Sequence, residues 1–140
     1  MTGLTSDALL TRRGGAKVSN EYGYPVAPGE IVYRGGLVGL NSSGQMQRIQ
    51  TAGTVVFAGL ADRTLDNTAS SAASSTLVVA NKGTWSLTVP SATVSNINAP
   101  VYASDDATLS LTQGSSPALL QVGVLSGIEG GQTYVTILGS

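Results

Sequence analysis

The chain has 140 residues, seven basic and eight acidic, for a formal net charge of −1, and 41% of it is hydrophobic against only 11% charged. It contains no histidine and no cysteine, which excludes Ser-His-Asp and Cys-His catalysis, histidine- or thiolate-held metals and disulfides. So little net charge supplies no long-range field to gather nucleic acid or an anionic membrane, while a chain of this size buries about 70% of its unfolded surface, enough for one core without staples.

Residues 1–24 show no periodic apolar pattern and read as an extended N-terminal arm, with a small basic group at Arg12, Arg13 and Lys17 and apolar side chains at Leu4, Leu9 and Leu10. Three charges near one end are a weak signal for nucleic acid, and none is expected as a partner. The start of the chain lacks the charged head and apolar stretch of a signal peptide, and no apolar run reaches 18 residues. Synthesis in the cytoplasm and no membrane partner are therefore expected.

Residues 25–140 form the expected β-domain, because short β-type runs alternate there with glycine, proline, asparagine and serine clusters. Residues 30–34 and 36–40 flank the Gly35-Gly36 pair, which marks a bend or bulge, and residues 41–44 make a turn. Residues 45–49 alternate. Residues 55–60 are a nearly continuous apolar run, the candidate central strand, covered on both faces. Residues 66–75 are small and polar and are expected to project as a connector before a strand at residues 76–80. Residues 83–89 alternate cleanly, placing Trp85, Leu87 and Val89 on one face and assigning Trp85 to the core as an anchor. Residues 91–98 allow one short helical turn, and further strands are expected at 101–103, 108–112, 118–125 and 133–138. Eight to ten short strands without a helical crossover predict an all-β jelly roll, sandwich or small barrel in one compact domain.

Few residues offer chemistry. Lys17 and Lys82 lack any serine–lysine motif and read as solvated charges. Asp105 and Asp106 are adjacent, so on an extended chain their side chains point to opposite faces, and they read as Asx-turn residues. Asp62 and Asp66 lack the alternating oxygen ligands of an EF-hand loop. Gly35, Gly36 and Gly39 lead into no helix and so make no phosphate cradle. No catalytic, metal or cofactor site is expected.

Four segments taken in order suggest a family: Val26 to Gly44 with its Gly35-Gly36 bend, Val56-Phe-Ala-Gly-Leu60, Pro100-Val-Tyr-Ala-Ser-Asp-Asp-Ala-Thr-Leu109, and Val122-Gly-Val124. Over most of the chain after residue 25 this resembles the small capsid decoration, or cement, proteins of tailed bacteriophages. Each piece alone is ordinary β-turn chemistry, and only the order is telling. The resemblance implies a virion structural protein without catalysis, exterior to the shell and bound to the lattice of the phage major capsid protein. It is expected to act as a homo-oligomer, a dimer in preference to a trimer. Leu4, Leu9, Leu10, Arg12, Arg13 and Lys17 are the candidate capsid contacts. Two other classes remain open: a ligand- or carbohydrate-binding β-module of a phage tail or fibre, which needs a surface aromatic platform or a carboxylate–calcium site, and a glycosidase using two aspartates.

Overall fold

A computed structural model describes residues 22–50, 53–115 and 118–137. Among these residues twelve strands and one 3-10 turn form two five-stranded sheets and a two-stranded ribbon. The first sheet has the order β1 (Tyr22–Pro25), β7 (Leu77–Asn81), β5 (Val56–Ala61), β3 (Leu37–Leu40), β4 (Met46–Arg48). The second has the order β10 (Leu109–Ser110), β9 (Pro100–Ala103), β11 (Leu120–Glu129), β12 (Gln132–Ile137), β8 (Thr84–Ser86). The ribbon pairs β2 (Ile31–Val32) with β6 (Leu65–Asp66). Every ladder is antiparallel. The chain is all-β and the architecture is a β-sandwich whose sheets do not close into a barrel. Twelve strands stand where eight to ten were expected, partly because β2, β6 and β10 are pieces of only two residues.

Two apolar clusters lie on opposite faces of the first sheet. Between the two sheets, Leu37, Ile49 and Leu60 meet Val101, Val122, Leu125, Val135 and Ile137. On the far face, Val38, Met46, Ala58, Ala61, Val78 and Ala80 pack with Val26 and with Val32 of the ribbon. Each fully buried Val, Leu or Ile contributes about 1.5–3 kcal/mol relative to its exposed state, so the first sheet is stabilised from both sides. The buried apolar stretch Ala58–Ala61 of β5 has this cause, and β5 is the central strand as its sequence suggested, but Val55 and Val56 at the start of the run are exposed, so two-sided cover does not extend over all of residues 55–60.

Alternation along β5 slips by one residue. Phe57 and Leu60 face the inter-sheet cluster, while Ala58 and Ala61 face the other. Strict period-two alternation would put residues 57 and 60 on opposite faces. The slip is a β-bulge: Val38 pairs with Gly59 and Gly39 with Phe57, leaving Ala58 unpaired. Gly59 takes φ +148°, and a Cβ there would lie 2.5 Å from the Asn81 carbonyl oxygen. Only glycine fits this position.

Three expectations need correction. Residues 66–75 stay at the surface but are tied down rather than projecting: buried Asn67 donates through Nδ2 to the carbonyls of Val26, Ala27 and Ala72 at 3.1, 3.1 and 3.0 Å. Ser74 Oγ accepts from the Val26 amide at 2.8 Å and donates to the Thr76 carbonyl at 2.6 Å. Within residues 83–89 only Thr84–Ser86 form a strand, because the Thr133 hydroxyl then takes over, donating to the Leu87 carbonyl and accepting from the Val89 amide.

The third concerns Trp85, which is not in the core and is 40% exposed. Its register is as read from the alternation: Trp85 pairs with fully buried Val135, so it leans toward the inner face. But β8 is an edge strand, and Trp85 borders an open cleft with Arg34, Leu60, Asp62 and Asn81 instead of being enclosed between the sheets. Tyr22–Pro25, read from sequence as the end of the arm and the start of the β-domain, form edge strand β1 on β7. The short helical turn expected within residues 91–98 is present at Val94–Asn96.

Candidate functional site at the rim of the sandwich

The acidic turn and the glycine bend, distant in sequence, meet at one rim. Gly36 donates to the Tyr33 carbonyl at 2.9 Å, closing the bend, and Gly35 donates to the Ala61 carbonyl at 2.8 Å, pinning the bend to the end of β5. The Leu37 amide then donates to the Asp106 carbonyl at 2.9 Å, linking β3 to the turn after β9. Asp105 shapes that turn: its Oδ1 accepts from the Ala107 and Thr108 amides at 2.9 and 2.8 Å, and its Oδ2 from the Thr108 hydroxyl at 3.1 Å. The Ala107 amide, opposed by partial burial and reinforced by Thr108, holds the Asp105 carboxyl below its ordinary value. This is Asx-turn chemistry, as the sequence suggested.

Asp62 and Asp66 are engaged separately. Asp66 Oδ1 accepts from the Thr68 hydroxyl and amide at 2.6 and 2.9 Å, and those bonds, the hydroxyl foremost, lower its carboxyl pKa. Asp62 Oδ1 accepts from the Val79 amide at 3.1 Å. Among the described residues no three Asp or Glu side chains are grouped to hold a cation. Burial alone pushes the Lys82 ammonium below its usual pKa. The six candidate contacts Leu4, Leu9, Leu10, Arg12, Arg13 and Lys17 lie outside the described residues.

The rim carries adjoining clefts. One of ≈ 320 Å³ is lined by Arg34, Leu60, Asp62, Asn81 and Trp85. On the other side of the Arg34–Gly35 turn, a cleft of ≈ 440 Å³ is lined by Tyr33, Ser86, Leu87, Thr88, Asp106 and Leu109 among others. Tyr33 is 48% exposed. The Trp85 indole N–H donates to the Lys82 carbonyl at 3.0 Å, which fixes the ring's orientation.

Sequence reasoning missed Tyr33 and Arg34 as rim residues because residues 30–34 read as strand, and Asn81 because it falls just past the strand expected at residues 76–80. The usable signal was the Gly35-Gly36 pair, which makes Tyr33 and Arg34 turn residues held outside the sheet. For Trp85 the sequence carried no more than the turn-forming Gly83 two residues before it, since the shortness of β8 shows only in the structure. No family model matches the chain, and no curated protein or solved structure shows significant similarity to it.

Proposed function

We propose that the chain is a capsid decoration, or cement, protein of a tailed bacteriophage, binding the outer surface of the major capsid protein lattice and reinforcing it as a homo-oligomer. The observation that carries the reading is the ordered set of four segments that resembles this family. Those segments build the middle of the sandwich: β3 and β5 are inner strands of one sheet, and β9 and β11 of the other. A decoration protein is repeated many times on one shell, so modest affinity per copy adds up to large reinforcement, and neither strong charge nor catalytic groups are needed. The arm residues Leu4, Leu9, Leu10, Arg12, Arg13 and Lys17 combine apolar and basic side chains suited to a neighbouring subunit.

The test is to incubate the full chain with undecorated capsids, image the shells by electron microscopy, and follow their thermal disruption. The expected result is regular added density and a more heat-resistant shell. A variant with Leu4, Leu9 and Leu10 changed to Ser and Arg12, Arg13 and Lys17 to Ala should show reduced occupancy. Absence of density with the unaltered chain rejects the reading. Equal occupancy by the variant rejects the arm as the contact.

A further inference from the structure

We propose that the rim between β5 and β8 is a binding site for a neutral oligosaccharide, with Trp85 as its platform. The proposal does not depend on the capsid reading. It starts from the Trp85 side chain, which leans toward the interior in register with Val135 yet remains 40% exposed on the edge strand β8, beside a cleft lined by Leu60 and Asn81 of the opposite sheet. An aromatic ring at the open end of a sandwich leaves a large apolar surface in water, at a cost that a ligand with an apolar face relieves. The indole N–H is already satisfied by the Lys82 carbonyl, so the ring presents π surface rather than a donor. That surface suits the C–H face of a pyranose.

The walls supply what sugar hydroxyls require. Asp62 brings a carboxylate, Asn81 an amide and Arg34 a guanidinium to the cleft beside Trp85. Neither the Arg34 nor the Asn81 side chain has a hydrogen-bond or ion-pair partner among the described residues. A cleft offering both an anion and a cation, together with an amide that donates and accepts, fits a polyol better than a charged ligand, since hydroxyls do both as well. Beyond Arg34 the second cleft adds exposed Tyr33 and the hydroxyls of Ser86 and Thr88. Two aromatic side chains on either side of one guanidinium define at least two sugar subsites, hence an oligosaccharide rather than a monosaccharide.

Trp85 is the only tryptophan in the chain, so its intrinsic fluorescence reports directly on the site. The full chain is titrated with cellotetraose, maltotetraose and chitotetraose at up to millimolar concentration. A saturable change in emission with at least one of them is expected. Arg34→Ala and Asn81→Ala keep the reporter, and each should weaken binding by about tenfold, the loss of one good polar contact. Trp85→Ala, followed by calorimetry, should abolish binding while leaving the circular dichroism spectrum unchanged. No saturable change with any of the three sugars overturns the proposal. Binding unaffected by Arg34→Ala and Asn81→Ala does the same, because the sugar would then lie elsewhere. A synthetic peptide of residues 1–21 that changes the emission where the sugars do not would make the rim a strand-docking groove and also overturns it.

Discussion

Gly59→Ala should be among the most damaging single-methyl additions to this fold. The added Cβ would sit 2.5 Å from the Asn81 carbonyl oxygen and 3.2 Å from the carbonyl carbons of Ala80 and Asn81. These are backbone atoms of the neighbouring strand β7, which pairs with β5 through Leu60↔Asn81 and Ala61↔Ala80, so no side chain can swing aside. A non-glycine residue at φ +148° costs about 1–3 kcal/mol in backbone strain, and forcing strands apart for an extra methyl costs about 1–3 kcal/mol more. The sum, about 2–6 kcal/mol, is a large share of the roughly 5–15 kcal/mol that holds a domain together. Relief by losing the bulge is no escape, since a one-residue slip would turn Leu60 and Ala61 onto the wrong faces. In urea unfolding followed by circular dichroism, a loss of about 4 kcal/mol would appear as a lower midpoint with an unchanged slope, and in thermal melting as a fall of about 12 °C. Gly127→Ala is the control, because nothing lies within 4 Å of a Cβ built there and a methyl in open space changes stability by no more than about 1 kcal/mol. A Gly59→Ala protein within about 1 kcal/mol of the unaltered chain would refute the reasoning about the bulge.

Asn67→Ala should cost about 1–3 kcal/mol by stripping the carbonyls of Val26, Ala27 and Ala72 of their shared donor. Asn67→Asp should cost more at neutral pH, since it turns carboxylate oxygens on three carbonyl oxygens; urea midpoints that rank the two in the opposite order would contradict the assignment. The lowered carboxyls of Asp66 and Asp105 imply acid sensitivity: their contribution is fully present above the ordinary aspartate value of 3.8 and is lost as pH falls through their lower native values. The melting temperature should therefore drop below that pH, and an Asp66→Asn, Asp105→Asn double variant should show a shallower drop; an identical pH profile would remove both turns as the cause.

Face was easier to read from the sequence than cover. Along residues 83–89 the alternation placed Trp85, Leu87 and Val89 correctly on one side, yet only Val89 is buried, Leu87 is partly covered and Trp85 stands open. Periodicity reports the direction of a side chain and is silent about whether an opposing sheet reaches it. The acidic turn after β9 was legible because Asx chemistry is local: every partner of the Asp105 side chain lies within three residues. The anchoring of residues 66–75 was not, because the carbonyls of Val26 and Ala27 that hold Asn67 are 41 and 40 residues away and become neighbours only once the sheet exists. β1 was missed for a related reason, since Tyr22–Pro25 is an edge strand ending in proline, a residue that weakens any strand pattern.

The same asymmetry explains why the rim was invisible as a site. A residue in a central strand has its surroundings set by the strands on either side, so the two-sided environment of Ala58 to Leu60 could be assigned from apolarity alone, whereas Val55 and Val56 at the strand's start stay exposed. At the end of a sandwich an inward-leaning side chain has no such guarantee, and its exposure depends on how far the partner sheet extends. Trp85 leans inward from β8, the last strand of its sheet, across from the Leu60 end of β5 and beside the Arg34–Gly35 turn. Core periodicity and solvent exposure therefore coincide in one side chain. Among the described residues that combination, rather than any motif, separates Trp85 from Leu87 and Val89, and it directs the search for a ligand to the rim.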